Sequence, residues 1–275
     1  MKKYIYKFEA MSTPCEIIVY SPTKLLADKS ADAILLETKR LEKKYNYYDS
    51  DSFLWQLNTR QVCELDQESK TLLSRAKKYY KLTNKTFDIT IATLKDIYKN
   101  SLSQKELEEK KKFLLPYLGC EHFSIKKDKI YFDNEYSKID LGGFVKEYAV
   151  DRAVVILKRH KINAALVNFG GDIYALGRKP DGGQFKLGIK NPHNPKELIK
   201  EVLLENQALT TSASYERNYT IEGDIYSHII AINERNSSFT SVSVISKNCV
   251  ESGVYSTSLM INDSLEIKGE KICLK

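Results

Sequence analysis

The order of apolar and polar positions predicts a chain that begins with paired strands and then becomes helical. Residues 4–8 and 16–20 carry strand character, joined by a turn or bulge at Met11-Ser12-Thr13-Pro14. Apolar side chains recur at helical spacing over residues 23–44, which predicts a long amphipathic helix. A second helix is predicted over residues 67–82. It is expected to end at Asn84, because asparagine suits a left-handed exit.

The middle of the chain contains the most informative stretch, residues 139–177. A helix over residues 104–117 and a hairpin over 123–133 precede it. The stretch itself reads as one helix and one buried strand, bracketed by I-D-L-G-G-F-V-K and N-F-G-G-D. Glycine pairs let a ligand or another backbone approach closely. A helix start beside Asp140 and Lys146 offers amides to a phosphate or carboxylate, although a structural cap would produce the same pattern.

The last third of the chain is predicted to be mostly β-structure. Strands are expected over residues 185–189, 198–204, 226–232 and 240–246, with a helix-like pattern over 249–260 and a final strand in the tail. No tandem repeat or low-complexity linker interrupts the sequence. The pattern therefore favours one continuous α+β domain over residues 1–275.

Composition narrows the class of protein. The chain has 275 residues, 42% hydrophobic and 29% charged, as expected of a soluble globular protein. Part of the net charge of +7 comes from a lysine tract at residues 105–112. Glutamates interrupt that tract, which favours a solvated helix face over a nucleic-acid surface.

Cysteine usage and the N-terminus indicate the compartment. The five cysteines are scattered and form no C-x-x-C pair. This argues for reduced thiols and against a disulfide framework or a zinc site. The basic N-terminus has no apolar run long enough for a signal peptide, and no stretch is long enough to span a bilayer. A cytoplasmic protein is therefore expected, unless a leader has been removed.

Polar residues at element junctions are the candidates for chemistry. They form four groups: Asp88 in T-F-D-I-T, residues 140–146, residues 210–217, and His228 with Ser256-Thr257. The phosphate loop, the dinucleotide fingerprint and the nucleophile elbow are all absent. His228 could act as a general base, and a structural histidine is equally compatible with its position in a strand.

Taken in order, these segments resemble the FAD:protein FMN transferase (ApbE) family over residues 11–260. The resemblance is carried by M-S-T-P, Y-Y-D-S-D-S-F-L-W-Q-L-N, K-T-F-D-I-T, I-D-L-G-G-F-V-K-E-Y-A-V-D, L-V-N-F-G-G-D-I, T-S-A-S-Y-E-R and S-H-I-I. It implies an α+β, T-fold-like architecture with antiparallel sheets and packed helices. It also implies FAD in a cleft, with Mg²⁺ on its pyrophosphate.

The resemblance also implies a reaction and a set of residues. Family members move the FMN half of FAD onto a threonine of a target flavoprotein and release AMP, and some hydrolyse FAD instead. The family's base falls on His228, and its metal ligands fall on the carbonyl region at Gly143 and on Thr257. Its flavin contacts fall on eight positions: Met11, Tyr48, Thr86, Phe87, Asp88, Asp140, Lys146 and Ile229.

Four departures from the family pattern change the expectation. Gly253 stands where the metal-binding aspartate is expected, Glu147 and Ala213 replace glycines, and residues 231–235 replace D-P-x-T-G. Loss of a carboxylate is expected to weaken Mg²⁺ binding strongly. Three functions therefore stay open: an FMN transferase, an FAD-binding protein with impaired or merely hydrolytic turnover, and a protein whose pocket is vestigial. The retained Asp140, Lys146, His228 and Thr257 favour the transferase.

Overall fold

The computed structural model describes residues 1–191, 194, 197–214, 218–227, 229–230 and 237–275. Its N-terminal residues form the predicted hairpin, in which β1 (Lys2–Ala10) pairs antiparallel with β2 (Thr13–Ser21). Met11 and Ser12 make the two-residue turn with φ of 54° and 56°. Positive φ at both turn positions matches the right-handed twist of the flanking strands.

One antiparallel sheet of seven strands organises the fold, in the order β1-β2-β5-β6-β9-β12-β13. Three two-stranded ribbons, β3–β4, β7–β8 and β10–β11, accompany it. The remaining strands are β3 (Phe123–Lys126), β4 (Lys129–Phe132), β5 (Ala165–Phe169), β6 (Asp172–Leu176), β7 (Phe185–Lys190), β8 (Leu198–Leu204), β9 (Gln207–Ala213), β10 (Asn218–Ile221), β11 (Asp224–Ser227), β12 (Ser241–Ser246) and β13 (Glu270–Leu274).

Most helices follow the predicted periodicities. They are α1 (Lys24–Lys44), α2 (Phe53–Asn58), α3 (Gln67–Leu82), α4 (Ala92–Asn100), α5 (Gln104–Leu114), α6 (Gly142–Arg159) and α7 (Cys249–Ile261), with 3₁₀ turns at Ile89–Ile91, Leu115–Tyr117 and Cys120–His122. The predicted exit from α3 is confirmed, because Asn84 and Lys85 both have positive φ. Helix α4 has no counterpart among the predicted elements.

Two layers cover the sheet. Helices α1, α6 and α7 share the main core with Ile17, Val167 and Val244 of the sheet. On the opposite face, Phe185 and Leu204 of the β7–β8 ribbon pack in a second buried cluster. The predicted α+β class with antiparallel sheets and packed helices is therefore confirmed. Within the described ranges, no helix combines the length and apolar character needed to cross a bilayer.

The second glycine pair of the 139–177 stretch is a tight hairpin turn between β5 and β6. Gly170 and Gly171 have φ of 60° and 95°. The amide of Gly170 donates to the carbonyl of Pro14, and a Cβ at Gly170 would lie 1.9 Å from Thr13 Oγ1. Only glycine permits such close approach with this backbone conformation. The turn between β5 and β6 is thereby held against the beginning of β2.

Replacing Gly177 by alanine is expected to destabilise the fold strongly. Gly177 has φ of +62°, and a Cβ there would lie 2.0 Å from the carbonyl oxygen of Asn163. Gly182→Ala is the matched control, since Gly182 has φ of +82° but no atom within 4 Å of the added Cβ. Both variants carry the cost of placing alanine at positive φ, about 1–2 kcal/mol. The backbone clash should cost Gly177→Ala at least about 2 kcal/mol more in urea unfolding. Equal losses would contradict this account.

Candidate functional site

One cavity of about 840 Å³ collects the residues that the sequence singles out. Its volume lies within the usual range for small-molecule and cofactor sites. All ten predicted site residues that the structure describes line it: Met11, Tyr48, Thr86, Phe87, Asp88, Asp140, Gly143, Lys146, Ile229 and Thr257. The eleventh, His228, lies outside the described residues. The individual roles of all eleven stay predictions.

Asp140 closes the beginning of α6 and faces the cavity with the same carboxylate. Its Oδ1 accepts the amide of Gly142 at 2.8 Å. Its Oδ2 lies 2.5 Å from the ammonium nitrogen of Lys95. Burial lowers the pKa of Lys95, but the charge of Asp140 and its hydrogen bond outweigh burial and raise it overall. Lys95 is therefore an ammonium ion. Asp140 both caps the beginning of α6 and lines the cavity, so the structural and the ligand-binding interpretations of the I-D-L-G-G motif are compatible.

Lys95 is a cavity residue that the sequence interpretation missed, because α4 was not predicted. Its Nζ lies 5.0 Å from the ring centroid of Tyr47 and 4.8 Å from that of Tyr48. Leu94, Ile97 and Tyr98 of the same helix are buried. Their spacing of three and one is compatible with a helix and was the available signal. Tyr48 itself is 59% exposed, so an aromatic face beside a cation is open to a ligand.

A second ion pair joins the two ends of the 139–177 stretch. Lys146 on α6 places its Nζ 2.8 Å from Oδ2 of Asp172, which is buried at the first position of β6. The two glycine motifs are therefore linked through their charged residues. This contact aligns the lysine predicted to meet a phosphate.

The T-F-D segment contributes one core residue and one acidic residue. Phe87 is buried, with its ring centroid 5.9 Å from that of Phe144. Oδ1 of Asp88 accepts the amide of Thr90 at 2.8 Å and its hydroxyl at 2.7 Å. Oδ2 of Asp88 is buried with no hydrogen-bond partner among the described residues. Burial raises the pKa of Asp88.

The wall around Gly253 carries a carboxylate after all, and it comes from Glu147. A Cβ at Gly253 would lie 2.7 Å from Cγ and 2.8 Å from Oε1 of Glu147. Glu147 is 5% exposed, and its Oε2 has no hydrogen-bond partner in the part of the chain that the structure describes. Burial, followed by the charge of Asp172, raises the pKa of Glu147. The added bulk expected at Glu147 therefore occupies the space left by the missing side chain.

Among the described residues that line the cavity, acidic side chains outnumber basic ones. Each of the three lysines that line its described part forms an ion pair with an acid: Lys85 with Glu121 at 2.8 Å, Lys95 with Asp140 and Lys146 with Asp172. The lining acids are Glu42, Asp88, Glu121, Asp140, Glu147 and Asp172. A bound cation would favour an anionic ligand at this surface, because it would offset the charge of nearby carboxylates. No three His, Cys, Asp or Glu residues within the described ranges form a metal site by themselves.

Helix α7 is fixed at both ends of its cavity-facing segment. Thr257 Oγ1 lies 3.1 Å from the hydroxyl of Ser212 on β9. At the beginning of α7, Asp151 of α6 accepts the amides of Cys249 at 2.8 Å and Val250 at 3.3 Å. These contacts hold Thr257 and Gly253 in a constant relation to α6.

Comparisons with known proteins agree on one family. A family model described as the ApbE family matches residues 11–269. The FAD:protein FMN transferase of Vibrio cholerae is 26% identical over 251 residues, which cover 84% of this chain and 74% of that protein. The FAD:protein FMN transferase of Chlamydia pneumoniae is 28% identical over 211 residues, which cover 73% and 65% respectively.

Solved structures show the same fold. The ApbE protein of Thermotoga maritima superposes with a TM-score of 0.85 at 27% identity, covering 94% of this chain and 87% of the other. The flavin transferase ApbE of Vibrio cholerae gives a TM-score of 0.81 at 19% identity and covers 100% and 97%. The second likeness supports the fold alone.

The contribution of Asp151 to stability is expected to fall as pH rises, because Asp151 ionises. Burial raises its pKa from 3.8 to about 6, despite the two amide donors. Because the folded pKa exceeds the unfolded one, the proton-linked stabilisation is complete below about pH 4 and is lost through pH 6. Asp151→Asn does not ionise. The unfolding free energy of the parent minus that of the variant should therefore drop by about 3 kcal/mol between about pH 4 and pH 8. A flat difference in urea titrations would contradict it.

Proposed function

The chain belongs to the ApbE family, and on that premise we propose that it is an FAD:protein FMN transferase acting on a target flavoprotein. The observation that carries the proposal is the convergence of the ten described site residues on one cavity of suitable volume. These residues come from distant parts of the sequence, from Met11 to Thr257. If the motifs matched the family by coincidence, their residues would not be expected to line the same cavity.

The proposed reaction transfers a phosphoryl group. A threonine hydroxyl of the acceptor attacks the phosphorus of the FMN half of FAD, and a new P–O bond forms. The bond to the AMP phosphate breaks, and AMP leaves with the bonding electrons. The hydroxyl proton goes to a base, the role that we assign to His228. Such reactions depend mainly on positioning and on electrostatic stabilisation of the phosphate oxygens.

The cavity residues suit these tasks. The exposed ring of Tyr48, with Lys95 nearby, offers a stacking surface for a flat heterocycle. Lys146 acts as a point charge for a phosphate, and Asp172 holds it in place. Met11 lies at the strained hairpin turn, where its amide donates to Glu42. A backbone conformation of positive φ at a non-glycine residue is frequent at ligand sites.

The described residues fit an Mg²⁺ ion. Hard cations prefer oxygen ligands, and the cavity wall offers the hydroxyl of Thr257, the backbone at Gly143 and a buried carboxylate oxygen without a hydrogen-bond partner. When bound, Mg²⁺ would neutralise charge on the bridging phosphate oxygens. The charges of the described lining residues also favour a bound cation, because the lysines among them already form ion pairs with carboxylates.

A protein that binds FAD without turning it over is the second candidate. Gly253 is the observation that favours it, since the aspartate expected there is missing. Glu147 weakens that argument, because it brings a carboxylate to the same place.

Incubation with FAD, Mg²⁺ and a threonine-bearing acceptor flavoprotein is expected to yield a covalently flavinylated acceptor and AMP. Mass spectrometry of the acceptor and chromatography of the nucleotide measure the two products. His228→Ala should lower turnover by roughly 100- to 10,000-fold, the usual contribution of a general base. FAD binding should persist in that variant.

His122→Ala is the matched control for His228→Ala, because His122 pairs with Asp133 and does not line the cavity. Bound FAD that stays intact under all conditions would favour the binding protein. A chain that neither quenches FAD fluorescence nor turns FAD over would defeat both candidates.

Tyr48→Ala is expected to weaken FAD binding with little effect on stability. Loss of one aromatic stacking surface costs about 1–3 kcal/mol, or roughly a 5- to 150-fold higher Kd. Stability should be preserved because Tyr48 is 59% exposed. Tyr131→Ala is the control, since Tyr131 is 47% exposed and lies outside the cavity lining. Equal FAD affinity of the two variants by fluorescence titration would argue against stacking at Tyr48.

A further inference from the structure

We propose that Glu147 is the metal-binding carboxylate of this chain. It takes over the role of the acidic residue that is expected at position 253. The carboxylate thus comes from α6 instead of α7. The inference rests on the proposed Mg²⁺-dependent function, and it concerns which side chain of this protein holds the ion. It replaces the expectation that Gly253 leaves the metal site without an acid.

Sterics link the two positions. Any side chain at position 253 would begin 2.7 Å from Cγ and 2.8 Å from Oε1 of Glu147, well inside van der Waals contact. An aspartate at 253 and a glutamate at 147 therefore exclude each other in this packing. The two departures from the family sequence are coupled in space. One side chain fills the volume that the other leaves.

Helix geometry brings Glu147 to the appropriate surface. On α7, Gly253 and Thr257 are four residues apart and share a face. On α6, Glu147 lies four residues after Gly143, where the backbone departs from helical geometry with φ of −90° and ψ of 20°. Both helices contribute to the cavity lining, at Gly143, Glu147 and Thr257. Glu147 thus lines the same cavity as the two positions predicted to bind the metal.

An ionised Glu147 would need compensation for its charge in this buried position. Its Oε2 is buried without a hydrogen-bond partner among the described residues, and burial of a carboxylate is costly unless it is paired. The neighbouring ammonium of Lys146 lies on Asp172, which is a second carboxylate close to Glu147. A divalent cation is the ligand that would relieve this concentration of acidic groups. Such a site retains the oxygen chemistry that Mg²⁺ prefers.

Direct metal binding tests the assignment without using activity. Mn²⁺ serves as a spectroscopic probe for the Mg²⁺ site, titrated by electron paramagnetic resonance with and without FAD. The variants are Glu147→Gln, Glu147→Gly, Gly253→Asp and the exchange of both residues, Glu147→Gly with Gly253→Asp. Circular dichroism and thermal unfolding check that each variant folds. Glu251→Gln is the control, because Glu251 is acidic and lies on α7 but does not line the cavity.

Glu147→Gln keeps the shape of the side chain and is expected to raise the Kd for Mn²⁺ at least about tenfold. Tenfold is the lower end of the loss in affinity that follows mutation of residues that only support a metal ligand. Glu147→Gly should do the same. Gly253→Asp alone should lower the thermal midpoint because its side chain meets Glu147. The exchanged pair should recover both the midpoint and an affinity within about threefold of the parent, so the two substitutions are strongly non-additive.

Unchanged Mn²⁺ affinity in Glu147→Gln, or no recovery in a folded exchanged pair, would overturn the assignment and show that Glu147 only fills space. Failure of the parent to bind Mn²⁺ with FAD present would overturn it as well. The proposed transferase function fails separately, through absence of flavinylated acceptor from a protein that binds both Mn²⁺ and FAD. The two failures are therefore distinguishable.

Discussion

The close packing of α6 against α7 leaves room for one acidic side chain between them, and the architecture of the candidate site depends on that restriction. Gly253 contributes no side chain, and Glu147 occupies the space from the opposite helix. Interiors are packed too densely to absorb a second carboxylate at such a distance. The amides of Cys249 and Val250 on Asp151 hold the beginning of α7 against α6.

Charge pairing extends the same organisation across the cavity. Asp140 and Asp172 stand at the two glycine motifs, and each faces a lysine, Lys95 and Lys146 respectively. Paired in this way, the lysines are held in defined positions, so little conformational entropy is lost when a ligand binds. Acids outnumber lysines among the described residues of the lining, so a bound cation would favour the binding of a phosphate there. Glu147 is the carboxylate that we propose as the ligand of this cation.

Local patterns account for most of what could be predicted. Helices α1 and α3 and the β1–β2 hairpin were recognised because periodicity and turn residues are encoded by neighbours in sequence. Helix α4 is not predicted because it has only nine residues and directly follows a 3₁₀ turn. Its hydrophobic periodicity therefore extends over little more than two helical turns. Lys95 was lost with it. Its pairing with Asp140 spans 45 positions, a separation at which no local pattern operates.

The amino-acid sequence indicates the fold class, the order of the motifs and ten of the residues that line the cavity, with Lys95 not among them. It also marked Glu147 and Gly253 as departures, each of which suggested a weakened site when considered alone. The packing of α6 against α7 connects them, because a side chain at position 253 would meet Glu147. Side chains 106 positions apart can compensate for each other solely where helix packing brings them into contact. Steric exclusion acts over ångströms in space, and spacing along the chain carries no record of it.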